Sequence, residues 1–279
     1  MATLDAATRE RVAMMLVLVR RMSLVFDTAI DRAGLGELRQ NAEVRVCLAL
    51  YRDGALRPRD LQQAAGLTSG GLTKLLDRLE SAGLAHRGAR GDCRDGRAVE
   101  VELTDAGRAA MGRFIEVVDD AHDDVRPIAK EIVQLAEACG GGPSAGLEPC
   151  GELIACVARL GTTLRESAAG EAGSPTAIEF SSLIVLCHAE LEGGCRPGSV
   201  MELLELSSGG ATKLLDRLEA SGLVRRDYGA VDGDRRAVVV TPTPTGRRLM
   251  GHALARVATH LDELWLVNHW LAEGVSTRP

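Results

Sequence analysis

Ser69, Gly70, Thr73, Lys74 and Arg78 fall within one run, TSGGLTKLLDRLESAGLAHR at 68–87. Hydroxyl, ammonium and guanidinium groups in this spacing donate hydrogen bonds. Such donors suit the holding of phosphate oxygens, or of base edges, more than the breaking of bonds. Gly70 and Gly71 remove side-chain bulk from the first turn of a helix. Backbone N–H groups and the positive end of the helix dipole can then come close to a phosphate. The set recurs as Ser208, Gly209, Thr212, Lys213 and Arg217 in SSGGATKLLDRLEASGLVRR at 207–226, with fourteen of the twenty paired positions identical. One such segment could equally be a tight turn followed by solvated helix cations. Two copies, each followed by a charged hairpin, favour the anion-binding reading.

The offset between the copies is 139 residues, and it holds without a gap on either side. Arg57-Pro58 meets Arg196-Pro197, Arg97-Ala98-Val99 meets Arg236-Ala237-Val238, and Gly107-Arg108 meets Gly246-Arg247. In a chain of 279 residues this is a duplicated domain, longer than any solenoid unit. The expected domains are 1–139 and 140–279, each long enough to bury a core. CGGGPSAG at 139–146 reads as the linker between them, and AAGEAGSP at 168–175 as a second break.

Within each repeat the pattern predicts the elements that position the donors. Helices are expected at 6–32 and 147–167, at 41–53 and 178–192, and, after the Arg-Pro pair, at 59–65 and 198–205. Thr68 and Ser207 stand where an N-cap belongs. Leu72, Leu75, Leu76 and Leu79 should face inward, as should Ala211, Leu214, Leu215 and Leu218, with Gly83 and Gly222 ending each helix. A two-stranded hairpin follows, at about 84–88 and 97–103 in the first copy. Thr104, and Thr243 or Thr245, can cap a long final helix.

That helix has a mostly apolar series spaced alternately four and three residues apart, a seven-residue repeat: Met111, Ile115, Val118, His122, Val125, Ala129 and Ile132, matched by Met250, Leu254, Val257, Leu261, Leu264, Asn268 and Leu271. A heptad seam pairs helices, either across the repeats or within one of them. Pro127 should bend the first copy near its middle.

Composition narrows the function class. Aromatics are only 3% of the chain, so the core must be built from aliphatic residues, which suits helix packing. Net charge is −6, so any nucleic-acid surface has to be locally basic. Seven cysteines without short paired spacing favour reduced, buried thiols and a cytoplasmic protein over a disulfide framework. No signal peptide is read at the N-terminus, and MMLVLV at 14–19 is too short to span a bilayer. No Walker loop, Cys-x-x-Cys pair or His-x-x-x-His pair occurs. Cys187-His188 with Cys195 is the most metal-like grouping, yet it reads better as core. No metal, cofactor or catalytic residue is expected. Cys93, beside Arg90 and Arg94, is either an incidental loop residue or a reactive thiol. Asp119, Asp120, Asp123 and Asp124 read as a solvated acidic face.

Helix, short helix, capped helix and charged hairpin together make the winged helix-turn-helix pattern. The expected fold class is mainly α with small β-wings: two such units joined through a helical pairing interface with pseudo-two-fold symmetry. The run from Leu67 to Leu84, then Asp95-Gly96-Arg97-Ala98-Val99 and Thr104 to Arg108, resembles the MarR family of bacterial transcriptional regulators. So do Leu206 to Leu223, Asp234-Arg235-Arg236-Ala237-Val238 and Thr243 to Arg247.

The resemblance implies a ligand-responsive repressor of double-stranded DNA operators. Members are usually homodimers of about 140 residues joined by their first and last helices, and this chain resembles both protomers fused, a monomer acting as a pseudo-dimer on a pseudo-palindrome. Thr73, Lys74, Thr212 and Lys213 would lie at the major groove. Arg97 and Arg236 would be the wing arginines, supported by Arg94 and Arg235 and oriented by Asp95 and Asp234. A small lipophilic or aromatic-acid effector is implied in each half, with His188, His252 and Arg256 as polar candidates and Trp265 and Trp270 as walls. The rival reading is a fused scaffold that has lost DNA binding and responds to a ligand as a protein-interaction partner.

Overall fold

The computed structural model describes residues 4–32, 41–65, 67–89, 99–143, 153–170, 176–228 and 238–273. It is mainly helical with two small antiparallel sheets, a winged helix-turn-helix arrangement present twice. The first copy runs α1 (Ala6–Arg32), α2 (Asn41–Asp53), α3 (Pro58–Ala65), α4 (Ser69–Ser81), β1 (Ala85–Ala89), β2 (Val99–Leu103), α5 (Asp105–Asp120) and α6 (His122–Glu137). The second runs α7 (Leu153–Ala169), α8 (Phe180–Leu191), α9 (Pro197–Leu204), α10 (Ser208–Ala220), β3 (Val224–Tyr228), β4 (Val238–Pro242), α11 (Pro244–Val257), a 3-10 turn (Ala258–His260) and α12 (Leu261–Glu273).

Two compact units form. One has the limits Met1–Leu24, Arg126–Glu148 and Thr162–Ala272, and so draws on both halves of the sequence; the other has the limits Val25–Val125, Pro149–Gly161 and Glu273–Pro279. In the second of these, the core gathers Val46, Leu50, Leu61, Leu72, Leu76, Leu79, Val101 and Met111. In the first, the expected face of α1 is buried at Val12, Met15, Leu16, Val19 and Met22. Burial goes further, taking in Ala13, Val17 and Leu18. A helix segment this apolar on all sides has to be enclosed on all sides. The same unit ties α6 to α12, where Trp265 Nε1 donates to Glu137 Oε1 at 2.9 Å. It also ties the start of the inter-repeat segment to α12, where Gly142 N donates to Asp262 Oδ1 at 3.1 Å.

Several expectations need correction. Neither final helix is continuous: the first copy breaks between α5 and α6 at Ala121, the second at Ala258–His260. Pro127 is not the cause. It sits inside α6, six residues past the break, and the second copy breaks at the equivalent place with Leu266 where Pro127 would stand. Helix α8 begins at Phe180 rather than 178, and Thr243, not Thr245, caps α11 by accepting from Gly246 N at 3.0 Å. Helix α7 is described only from Leu153, with 17 residues against 27 in α1. Val99 leaves the expected in–out alternation of β2, being 45% exposed at the outer end of its hairpin.

Candidate nucleic-acid interface

The capped helices are set by the same devices in both copies. Thr68 Oγ1 accepts from Gly71 N at 3.2 Å, and Ser207 Oγ accepts from Gly210 N at 3.2 Å. Such caps are worth roughly 1 kcal/mol each. At the other end Leu84 N donates to Leu79 O and Gly83 N to Glu80 O, both at 2.9 Å; Leu223 and Gly222 repeat the pattern on Leu218 and Glu219. This double bond at the helix end needs a left-handed residue, and Gly83 and Gly222 supply it at φ +68° and +67°. The expected apolar stripe is buried in each copy.

Burial of that stripe leaves the other face outward. Ser69, Gly70, Thr73, Lys74 and Arg78 are exposed on α4, and Ser208, Gly209, Thr212, Lys213 and Arg217 on α10. Thr73 Oγ1 donates to Ser69 O at 3.0 Å and Thr212 Oγ1 to Ser208 O at 2.8 Å, which leaves each hydroxyl its acceptor lone pairs. Neither Lys74 nor Lys213 makes an ion pair among the described residues.

The glycines at the helix starts divide into two kinds. A Cβ on Gly71 would meet Thr68 Oγ1 at 3.2 Å and one on Gly210 would meet Ser207 Oγ at 3.3 Å, so these two serve the caps. A Cβ on Gly70 or Gly209 would meet nothing within 4 Å. Nothing inside the described chain requires glycine there.

Each wing is braced to its helix by residues that periodicity alone does not single out. Arg87 Nη2 donates to Asp77 Oδ1 at 2.8 Å and to Thr73 O at 3.2 Å, and its Nη1 pairs with Glu80 Oε2 at 3.0 Å. Arg226 repeats this with Asp216 Oδ1 at 2.6 Å and Glu219 Oε2 at 3.5 Å. The brace also neutralises the acidic residues of a helix whose neighbouring face is cationic. A third strand pairing, Leu56 with Val101 and Cys195 with Val240, anchors the inner end of each hairpin. Thr104 Oγ1 and Thr243 Oγ1 donate to Gly83 O and Gly222 O at 2.6 Å, closing the hairpin base onto the helix end. The wing-tip candidates Arg94, Arg97, Arg235 and Arg236, with Cys93, Asp95, Gly96 and Asp234, lie outside the described residues.

No family model matches the chain. Among curated proteins it is similar to the HTH-type transcriptional regulator PecS of Dickeya dadantii (strain 3937), with 33% identity over 116 residues, 40% of this chain and 68% of that protein. The chain belongs to the MarR family of transcriptional regulators. Solved structures similar to it include a MarR-family regulator from Silicibacter pomeroyi, with 26% identity, 38% of this chain and 68% of that one covered, and a TM-score of 0.30. Another is NadR in complex with 4-hydroxyphenylacetate, with 24% identity, 43% and 82% covered, and a TM-score of 0.32.

For a MarR-family chain the effector candidates are of equal interest, and the structure gives each its own surroundings. Arg256 donates to Ser167 O at 2.7 Å, Ala168 O at 2.6 Å and Thr176 O at 3.1 Å, fastening the end of α7. Trp265, besides its bond to Glu137, stacks on His269 with ring centroids 4.6 Å apart. His252 is exposed on α11, and Trp270 is half-buried. His188 is buried, its Nε2 3.1 Å from Ser199 Oγ. Ser199 gives its own proton to Arg196 O at 2.9 Å, so the His188 Nε2–H is the donor of that pair. Burial holds the imidazole below its usual range, an effect that Glu192 opposes and Arg21 adds to.

The thiols near His188 are inert by environment. Burial pushes Cys195 up to about 11 and raises Cys187 further. Cys47, buried near Glu43, is pushed up to about 12. No group of three His, Cys, Asp or Glu able to hold a metal occurs among the described residues. None of their helices is long and apolar enough to cross a membrane.

Proposed function

We propose that this MarR-family chain is a sequence-specific double-stranded DNA-binding repressor in which one chain supplies both operator-reading units as a pseudo-dimer, one from 1–139 and one from 140–279. The observation that carries the reading is the pair Gly70 and Gly209. Glycine in a helix costs up to about 1 kcal/mol relative to alanine, yet both copies keep it where the chain has open space. Bare backbone at an exposed helix start, beside Thr73-Lys74 and Thr212-Lys213, suits the close approach of a phosphate backbone. In this reading Ser69, Ser208, Arg217 and the wing arginines Arg94, Arg97, Arg235 and Arg236 complete the contacts. The net charge of −6 is no obstacle, because Asp77 and Asp216 on the two helices are paired with Arg87 and Arg226.

An effector that is a small lipophilic or aromatic acid belongs to the same reading, supported by the family alone. Arg256 is engaged with three backbone carbonyls, so an acid binding there would compete with the fastening of α7. Stoichiometry tests the proposal. Sedimentation equilibrium with titration against a duplex from upstream of the reading frame should give one chain per operator. Covalent linkage replaces a concentration-dependent association by a fixed effective concentration. Two chains per operator, with no folded single chain, would refute the pseudo-dimer.

A further inference from the structure

The turn between α9 and α10 carries a residue in an unfavourable backbone state. Glu205 has φ 50° and ψ 44°, and among the described residues it alone takes a positive φ without being glycine. A side chain at that φ crowds the neighbouring carbonyl, so glycine is the usual occupant. The first copy has glycine, Gly66, at the equivalent position. Ser207, which caps α10, comes two residues after Glu205, so this turn leads directly into the second reading helix.

The last carbonyls of a helix have no partner inside it. On α9, Met201 O accepts from Leu206 N at 3.0 Å and Glu202 O from Glu205 N at 3.4 Å. The next, Leu203 O, accepts from Arg20 Nε at 3.0 Å, and Arg20 Nη2 lies 3.8 Å from Glu205 Oε2. One guanidinium thus meets both the negative end of the helix and the carboxylate just past it. Glu205 is 51% exposed and Arg20 18%, so the bond to Leu203 O is the stronger part and the ion pair the weaker. Arg20 is on α1, in the first repeat, yet it falls in the same compact unit as α9. The first copy settles the matching carbonyl within its own repeat, where Ala64 O accepts from Arg45 Nη2 on α2. The second copy has the buried Ile184 at the position of Arg45. Isoleucine has no donor to offer, and the donor comes from the other repeat.

We propose that Arg20 is a positioning residue for the second reading helix: from the first repeat it caps α9 and, with Glu205, fixes the turn into α10. Glu205 is kept despite its backbone because its carboxylate orients the Arg20 guanidinium. The consequence for recognition, that the first repeat governs how α10 is presented, rests on the DNA-binding reading above. The clasp itself does not.

Arg20 has a further interaction within the chain, so a double-variant cycle is needed to isolate this one. Hydrogen exchange is followed at Leu206 N, which closes the turn on Met201 O, with Leu67 N on Gln62 O as the matching control in the first copy. In an Arg20→Met background, Glu205→Gly only relieves backbone strain and should slow exchange at Leu206. In the unmodified chain it also removes the partner of Arg20, so it should slow exchange less, or speed it. The two effects should differ by about threefold, and Leu67 should not respond. Arg20→Lys loses the Nε donor but keeps the charge, and it gives the same cycle if Arg20→Met is too unstable. The same effect of Glu205→Gly in both backgrounds would overturn the clasp. On an operator duplex, Arg20→Met should raise Kd by about threefold or more, the scale of one lost hydrogen bond, without changing the log–log salt slope. An unchanged Kd, or a flattened slope, would overturn the positioning role. Absence of salt-dependent binding by the unmodified chain would overturn the DNA-binding reading and the role of Arg20 in recognition, while the coupling at Leu206 would stand or fall by itself.

Discussion

A Cβ built on Gly246 would lie 2.1 Å from the carbonyl oxygen of Leu223, and in the first copy Gly107 stands in the same relation to Leu84 at 2.0 Å. No side chain can share that space, so the first turn of α11 and the base of the β3–β4 hairpin approach as closely as backbone allows. Gly246→Ala and Gly107→Ala must push the helix away from the hairpin. The expected cost is about 1–3 kcal/mol each, the usual range for forced overpacking, read from chemical unfolding. A change below a few tenths would show that the hairpin base yields easily.

Gly70→Ala and Gly209→Ala should behave in the opposite way. With open space around them and ordinary helical backbone, alanine should leave stability unchanged or raise it by up to about 1 kcal/mol. Operator affinity should nonetheless fall, because the added methyl occupies the space offered to a phosphate. Variants that gain stability and bind the duplex as tightly as before would remove the main support for the proposed contact.

The brace from wing to helix gives a third expectation. Arg226 is 12% exposed while its partner Asp216 is 59% exposed, so solvent screens much of the pair. Arg226→Ala should cost about 1 kcal/mol of global stability, but should speed hydrogen exchange at the β3 and β4 amides more than elsewhere. Arg226→Lys should not restore protection, since an ammonium cannot engage Asp216 and Glu219 together as a planar guanidinium does. Full rescue by lysine would mean that charge alone holds the wing.

These braces mark the limit of what is legible in the sequence. The stripe Leu72-Leu75-Leu76-Leu79, the caps Thr68 and Ser207, and Gly83 and Gly222 follow from local rules, because each depends on residues within one turn. Arg87 with Asp77 and Glu80 is visible only as three identities among the fourteen shared with the second copy; nothing in its spacing says that a strand arginine folds back on a helix. By residue type alone Glu43 is an ordinary polar residue of α2. Only the structure shows its side chain to be 4% exposed and paired with Arg78. Residue type also points to Pro127 as the place where the final helix bends, because proline is the visible breaker. The break is at Ala121 instead, and the second copy breaks without a proline.

Stability should also depend on pH through His188. Its buried imidazole is held below the usual 6.5, so between that value and the lowered one the unfolded chain binds more proton than the folded one. Stability is therefore fully present above about pH 6.5, is lost as pH falls through 6.5, and levels off below the folded value. His188→Gln keeps an N–H donor for Ser199 and does not titrate. Urea unfolding at about pH 7.5 and about pH 5 should show a smaller loss in the variant than in the unmodified chain. Equal losses would place the acid sensitivity elsewhere.

The last expectation concerns recognition by unequal halves. Lys213→Ala and Arg236→Ala should each weaken operator binding and flatten its salt dependence, by roughly 0.9 for every phosphate no longer neutralised. If Lys213 also bonds a base edge, its removal would cost on the order of 1–3 kcal/mol. A symmetric protein mirrors its symmetry in two like half-sites. Here Leu72 stands opposite Ala211, Gly96 opposite Arg235, and the buried Glu43 opposite Ser182. The second wing keeps Arg235-Arg236 where the first has Gly96-Arg97, and Arg217 is held by an exposed carboxylate. The wing difference gives the second unit one more arginine at those two positions. The operator should then be an imperfect palindrome, and Arg236→Ala should cost more affinity than Arg97→Ala. Equal losses with a symmetric footprint would show that these differences do not reach the DNA, and a larger loss from Arg97→Ala would make the first unit the dominant one.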